Sequence, residues 1–239
     1  MQYNPTVHFY AQLRKLSPNL RHLHLTQVNL TDVPIDSLPN GLESLAVTHS
    51  YLPSGWFLPV FSPGTVVLPK LKELDLSGSS KASNADLAII MAWQDLTTLK
   101  LNYCYRITSD RLQSVTERLD HLEVLEIAAT KCNDVAIQSI CHNLAPTLRR
   151  LSVAECQKFT DSCADTIATL LPNLRSLDVS KCSKLTNNGL LSFTKMNSSL
   201  QHLNVASTAI SSDTLLQLKT SLPYCKIVHE SNRVPMLCT

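Results

Sequence analysis

The sequence predicts an α/β solenoid, a curved stack of short strand–turn–helix units, and three observations carry that expectation. Leucine fills 40 of the 239 positions, against 5 glycines and 13 aromatic residues, so one side chain is in excess rather than apolar residues in general. The motif leucine-x-x-leucine-x-(Leu/Ile/Val) occurs eight times, starting at Leu20, Leu42, Leu71, Leu96, Leu122, Leu148, Leu174 and Leu200. The intervals are 22, 29, 25, 26, 26, 26 and 26 residues, and a decayed ninth unit, CKIVHE, follows 25 residues later at Cys225. A near-constant period of this length sets one supersecondary unit per repeat.

Within a unit the strand comes first. Its apolar positions alternate, so they share one face of extended chain, and the residues between them face the other way. Two polar residues follow, and then a recurring small side chain: Cys104, Cys156 and Cys182, with Ser79, Thr130 and Thr208 in the sister units. A small, mostly apolar group with a weak donor suits a tight turn there. The segments ITSDRL, FTDSCA, LTNNGL and ISSDTL come next, where Thr, Ser, Asp and Asn oxygens are placed to cap the free amides of a helix start. Leu112, Val115 and Leu119, or Ile167, Leu170 and Leu171, then recur at helical spacing. Pro172 and Pro223 mark the exits, because helices rarely run into proline. No unit can bury its apolar face alone, so the units stack on a continuous leucine core. The expected architecture is a leucine-rich-repeat horseshoe, with a parallel strand ladder on the concave face and helices on the convex face.

The register departs from this template in two places. VPIDSLPNG, residues 33–41, offers prolines instead of a helix, and residues 51–69 carry four prolines and two glycines. Because leucine register resumes at Leu71, the second stretch reads as an irregular convex loop rather than a linker. Val7 to Asn19 looks like the helix-and-exit half of a unit whose strand precedes it. The domain reading is therefore residues 1–19 as the trailing half of a preceding repeat or a cap remnant, 20–228 as the repeat domain, and 229–239 as a tail. Extended, that tail is long enough to fold back along the concave face.

Several classes of function are disfavoured. Hydrophobic residues make up 44% and charged residues 17%, a composition that buries a core. The longest uninterrupted apolar run, Leu87 to Trp93, is far short of the roughly 20 residues that span a bilayer. A net charge of +2 gives no reason to expect nucleic acid. MQYNPTVHFY lacks the features of a secretory signal, so the 8 cysteines read as reduced thiols in a cytoplasmic and/or nuclear protein. No CxxC, GxSxG, HExxH or glycine-rich phosphate loop occurs, and neither catalysis nor a cofactor is expected. His22 and His24 project from one strand, but the repeat places no third ligand beside them, so no metal is expected.

The candidate site is the strand row facing away from the leucines and the residues just beyond it. Its members are His22, His24, Glu73, Asp75, Thr98, Lys100, Glu126, Arg150, Asp178, His202 and Asn204, with Asn102 and Tyr103 at the strand exits. Charges of both signs are interspersed, with an acidic pair at Glu73 and Asp75. Such a surface suits a protein partner.

LTTLKLNYCYRITSDRL and LRSLDVSKCSKLTNNGL resemble the cysteine-containing repeats of the F-box/leucine-rich-repeat proteins, over roughly residues 7 to 228. That resemblance implies a substrate-recognition role in an SCF-type ubiquitin ligase. The repeats of such proteins capture a protein substrate, and an F-box ahead of them docks on the Skp1 adaptor of a cullin complex. Only 19 residues precede the first repeat here, so Skp1 and a cullin are expected only if an F-box lies upstream. A stand-alone repeat scaffold or stoichiometric inhibitor is the alternative.

Overall fold

The computed structural model describes residues 7–58, 67–196 and 198–230. Nine strands form one sheet in strict sequence order. They are β1 (His22–Thr26), β2 (Ser44–Thr48), β3 (Glu73–Asp75), β4 (Thr98–Lys100), β5 (Val124–Glu126), β6 (Arg150–Ser152), β7 (Ser176–Asp178), β8 (His202–Asn204) and β9 (Lys226–Val228). Each runs parallel to its neighbours, and equivalent residues pair: Leu23, Leu45, Leu74, Leu99, Leu125, Leu151, Leu177, Leu203 and Ile227 form one rung line. The decayed ninth unit thus supplies a genuine strand.

Helices return the chain between strands: α1 (Val7–Leu16), α2 (Asn84–Ile90), α3 (Ser109–Arg118), α4 (Asp134–Leu144), α5 (Asp161–Leu170), α6 (Asn187–Ser192) and α7 (Ser212–Ser221). From α2 onward each packs against the next. Between them and the sheet lies a continuous apolar core in which Leu71, Leu99, Leu125, Leu151 and Leu174 are all but inaccessible to solvent. Leu112, Val115, Leu119, Ile167 and Leu171 are buried as their spacing predicts, whereas Leu170 is only partly so.

The strand exits share one backbone device. Gln27, His49, Tyr103, Ala129, Glu155, Lys181 and Ser207 have positive φ, and Gly78 takes the same place in the third unit. A left-handed residue with a side chain costs about 1–2 kcal/mol. It is held here because its N–H reaches the next unit: Tyr103 donates to the Ala128 carbonyl at 2.8 Å, Glu155 to Ser180 at 2.9 Å and Lys181 to Ala206 at 2.9 Å. At Gly78 a Cβ would meet Nδ1 of His49 at 2.3 Å, so a side chain there would displace that ring.

The recurring cysteines donate across units. Cys104 Sγ lies 3.3 Å from the Leu76 carbonyl, Cys156 Sγ 3.4 Å from Ile127 and Cys182 Sγ 3.2 Å from Val153. Ser79 does the same to Val47 at 2.8 Å. Cys132, outside that recurring position, is also in the core, 2% exposed.

Two expectations need correction. Thr108 and Thr160 do not cap their helices; their hydroxyls turn sideways to the preceding unit, where Asn84 Nδ2 donates to Thr108 Oγ1 at 2.9 Å and Thr160 Oγ1 donates to Asp134. Thr186, Ser211 and Asn133 do cap, and Ser83 closes a capping box with Asp86. The long second interval is not merely an irregular loop either. Trp56 and Phe57 enter the core, and Trp56 Nε1 donates to the Val33 carbonyl at 2.6 Å. In the short interval the prolines leave a single 3₁₀ turn, Ile35–Ser37. The middle of the loop, residues 59–66, and the expected fold-back of the tail from residue 231 lie outside the described residues. No helix among the described residues is long and apolar enough to cross a membrane.

Candidate functional site

Parallel sheets are usually covered on both faces. Here one face carries the leucines, and among the described residues nothing covers the other. On β3 to β8 the middle residue of each strand is buried, and its two neighbours are exposed or half-buried. These neighbours form two rows across the sheet, and the predicted site residues fall into them with different jobs.

The outer row contains His22, Glu73, Thr98, Arg150 and His202. All but the half-buried Thr98 are exposed. None of these five makes a side-chain hydrogen bond or ion pair among the described residues, so their polar groups face solvent. His24, also exposed, touches Thr48 Oγ1 at 3.1 Å.

The inner row is tied into the framework. Asp75 accepts the Ser77 N–H at 2.9 Å, Asp178 accepts the Ser180 N–H at 2.9 Å, and Asn204 accepts that of Ala206 at 3.1 Å. Each holds the strand exit in its turn, as side-chain acceptors two residues upstream do. Asn204 also donates to Asp178 at 3.1 Å. Asn102 joins two units, accepting from the Ala128 N–H and donating to Glu126, each at 2.9 Å. Lys100 Nζ lies 3.5 Å from the same carboxylate. The structure therefore separates Glu73 from Asp75, which the sequence had grouped as one acidic pair.

Tyr103 belongs to a third line at the strand exits. Its hydroxyl donates to Glu155 Oε1 at 3.1 Å, two units away, and Lys181 Nζ donates to the same oxygen at 2.7 Å. The span is open because Ala129, the residue between them, carries only a methyl group. The Lys181 hydrogen bond holds the Glu155 carboxyl below its usual range. Partial burial, and then Glu155, push the Tyr103 phenol up. The sequence pattern did not bring Glu155 and Lys181 to Tyr103, and the alanine between them was the available signal.

The described cysteines are all free, and burial pushes each thiol up, to about 12 at Cys104, Cys141, Cys163 and Cys182. Thiols so held stay protonated and poorly nucleophilic. Among the described residues no cluster of three His, Cys, Asp or Glu side chains is arranged to hold a metal ion. Sequence reasoning also missed a line of exposed cations along the rising turns: Lys81, Arg106, Lys131, Lys158 and Lys184. The signal was their recurrence once per repeat.

A family model described as Leucine Rich repeat matches residues 171–193. Human F-box/LRR-repeat protein 12 is 30% identical over 138 residues, covering 56% of this chain and 42% of that protein. The bovine protein of the same name is 30% identical over 128 residues, covering 53% and 39%. The matched stretch thus spans about two fifths of the length of these relatives. This is the resemblance that the cysteine-type repeats carry, within the family, to F-box/LRR-repeat protein 12. Among solved structures, LegL7 from Legionella pneumophila superposes with a TM-score of 0.63 at 17% identity, over 95% of this chain and 81% of that one. A chain of the yeast Rad7 and Elc1 complex gives 0.59 at 18% identity, over 95% and 73%. These likenesses show the leucine-rich-repeat fold.

Proposed function

We propose that the chain captures a protein substrate on its open strand face as the substrate-recognition part of an SCF-type ubiquitin ligase. The single observation that carries this reading is the 30% identity to human F-box/LRR-repeat protein 12 across 138 residues of repeat. The leucine-rich-repeat fold is a protein-binding architecture, and its open face fits that role. His22, Glu73, Thr98, Arg150 and His202 are the side chains free to read a partner. Asp75, Lys100, Asn102, Tyr103, Glu126, Asp178 and Asn204 keep the surface in shape beneath it, and His24 flanks them.

Dimensions constrain the mode of binding. Nine strands at about 4.8 Å spacing and three residues at about 3.3 Å give a floor of only about 400 Å². A stable partner buries about 800 Å² per side. The partner must therefore also touch the turns that rim the strands.

The deciding experiment is affinity purification of the endogenously tagged protein with mass spectrometry. The proposal expects Skp1 and a cullin to co-purify with a third protein whose level rises when the proteasome is blocked. Recovery of a stable partner without Skp1 or a cullin assigns instead a repeat scaffold or stoichiometric inhibitor.

A further inference from the structure

Lys81, Arg106, Lys131, Lys158 and Lys184 follow one another at intervals of 25, 25, 27 and 26 residues, one cation per repeat across five repeats. All five are exposed, on the turn that climbs from the strand exit toward the next helix. Parallel bridges from Ser83 to Arg106 and from Thr108 to Lys131 hold this turn in register from one unit to the next. None of the five cations enters any ion pair among the described residues. Lys81 lies 5.9 Å from the ring centre of Tyr51. Three carboxylates of the same repeats are committed elsewhere: Asp134 to Thr160 and Cys163, Asp161 to Thr186, and Glu155 to Tyr103 and Lys181. A file of like charges repels itself and contributes nothing to folding, so the fold does not account for it.

We propose that this rim binds an extended acidic peptide segment, its carboxylates at alternate positions meeting successive cations. Repeats are spaced about 4.8 Å apart at the strands and about 10 Å apart where helices pack side by side. The turns lie between these layers, so their spacing lies between those values. Alternate residues of an extended peptide are about 6.6 Å apart, within that range. Between Lys131 and Lys158 the rim opens into a cleft of about 320 Å³ beside Tyr105, floored by Ala129, with room for one intervening peptide side chain. A nucleic acid strand is the poorer fit. Tyr105 is the one ring among the residues that line the cleft, so successive bases would find no row of stacking platforms, and the Glu155 carboxylate that also lines it is held by Tyr103 and Lys181. This surface lies outside the outer strand row, among the turns that rim the strands, and a free peptide tests it without reference to the ligase assignment.

The test is fluorescence anisotropy with a labelled, alternating Glu-Ser peptide of about twelve residues, which at about 3.3 Å per residue spans the five repeats. Saturable binding that weakens with added salt is expected. Arg106→Gln, Lys131→Gln, Lys158→Gln and Lys184→Gln, combined in one variant, should weaken binding about tenfold or more, since several small ion-pair contributions are lost together. Lys15→Gln, Lys70→Gln, Arg118→Gln and Lys219→Gln remove the same charge elsewhere and should leave binding unchanged. All eight side chains are exposed, so both variants should melt like the parent. No saturable binding by the parent, an equal loss in the two variants, or tighter binding of a single-stranded RNA of equal charge would each overturn the proposal.

Discussion

From α2 onward, polar side chains at the helix starts fasten each repeat to the next, whereas the first repeats, joined at their strand exits by Ser50 and Ser79, are filled by an aromatic plug. In the regular part, the residue opening one helix binds the residue that precedes the next: Asn84 accepts the Thr108 N–H at 3.0 Å, Asp161 that of Thr186 at 2.8 Å, and Asn187 that of Ser211 at 2.9 Å. Asp134 accepts the Thr160 hydroxyl at 3.1 Å and the Cys163 thiol at 2.7 Å. Between β1 and β2 the prolines leave only the 3₁₀ turn Ile35–Ser37, and rings from the next interval fill the core beside it. Phe57 lies edge-on to Trp56 at 5.0 Å and to Trp93 at 5.9 Å. Trp93 Nε1 donates to the Val67 carbonyl at 2.9 Å, anchoring the far side of the interval. A repeat array can change its filling locally because each unit touches only its neighbours.

The comparison is broken or sharpened most strongly by emptying one core at a time. Phe57→Ala should cost about 3–5 kcal/mol and Leu125→Ala about 2–5 kcal/mol. In hydrogen exchange, Phe57→Ala should strip protection from β1 to β3 while β6 to β8 keep theirs. Uniform loss along the sheet would mean that the two parts unfold as one unit and that their different fastenings are incidental.

The lateral ladder comes next. Asp161→Ala removes both hydrogen bonds to Thr186. The Thr186 amide is exposed to water, so the expected cost is about 1 kcal/mol by chemical denaturation. The same change at Asp36, in the early part, should have no effect beyond a few tenths of a kcal/mol. If the two costs are equal, the ladder is not what distinguishes the regular half.

A smaller effect belongs to the bridge over Ala129. Glu155 titrates below its usual range when folded, so its contribution is present above the ordinary carboxylate pKa and is lost as pH falls through the lowered one. Lys181 is raised by the same hydrogen bond, so its share is present below the ordinary lysine pKa and lost as pH rises through the raised one. Carboxyl-detected NMR should show Glu155 titrating below the ordinary carboxylate range, and that shift should shrink in Lys181→Met. A Glu155 pKa that Lys181→Met leaves unmoved would remove the bridge.

The regular half was legible in the sequence because one period dictates every contact there; leucine spacing alone places Leu74 against Leu99 and Leu99 against Leu125. The early half was legible only as an interruption. Its packing depends on Trp56 and Phe57 meeting Trp93 and Val33, partners at irregular separations that no period encodes. The site divides in the same way. Alternation along a strand gave the rows, but not which members are spent on the framework. Asp75 reaches the Ser77 N–H and Glu73 does not, while Thr108 and Thr186 both bond the preceding unit and only the Thr186 hydroxyl also accepts an N–H of its own helix.

Glu73 lies where the two halves meet, and it gives the smallest stability effect with the clearest functional readout. It is exposed and makes no side-chain bond among the described residues, so Glu73→Lys should change stability by no more than about 0.5 kcal/mol. Asp75→Ala, two residues on, removes the acceptor for the Ser77 N–H and should cost about 1 kcal/mol. Reversing the Glu73 charge should nevertheless lower recovery of the captured protein in a quantitative pull-down, with the melting temperature unchanged. If recovery is unchanged, the partner reads the later strands through Arg150 and His202, and binding belongs to the regular half alone. If recovery falls, the partner spans the junction, and the aromatic plug that shapes the early strands is part of the binding surface.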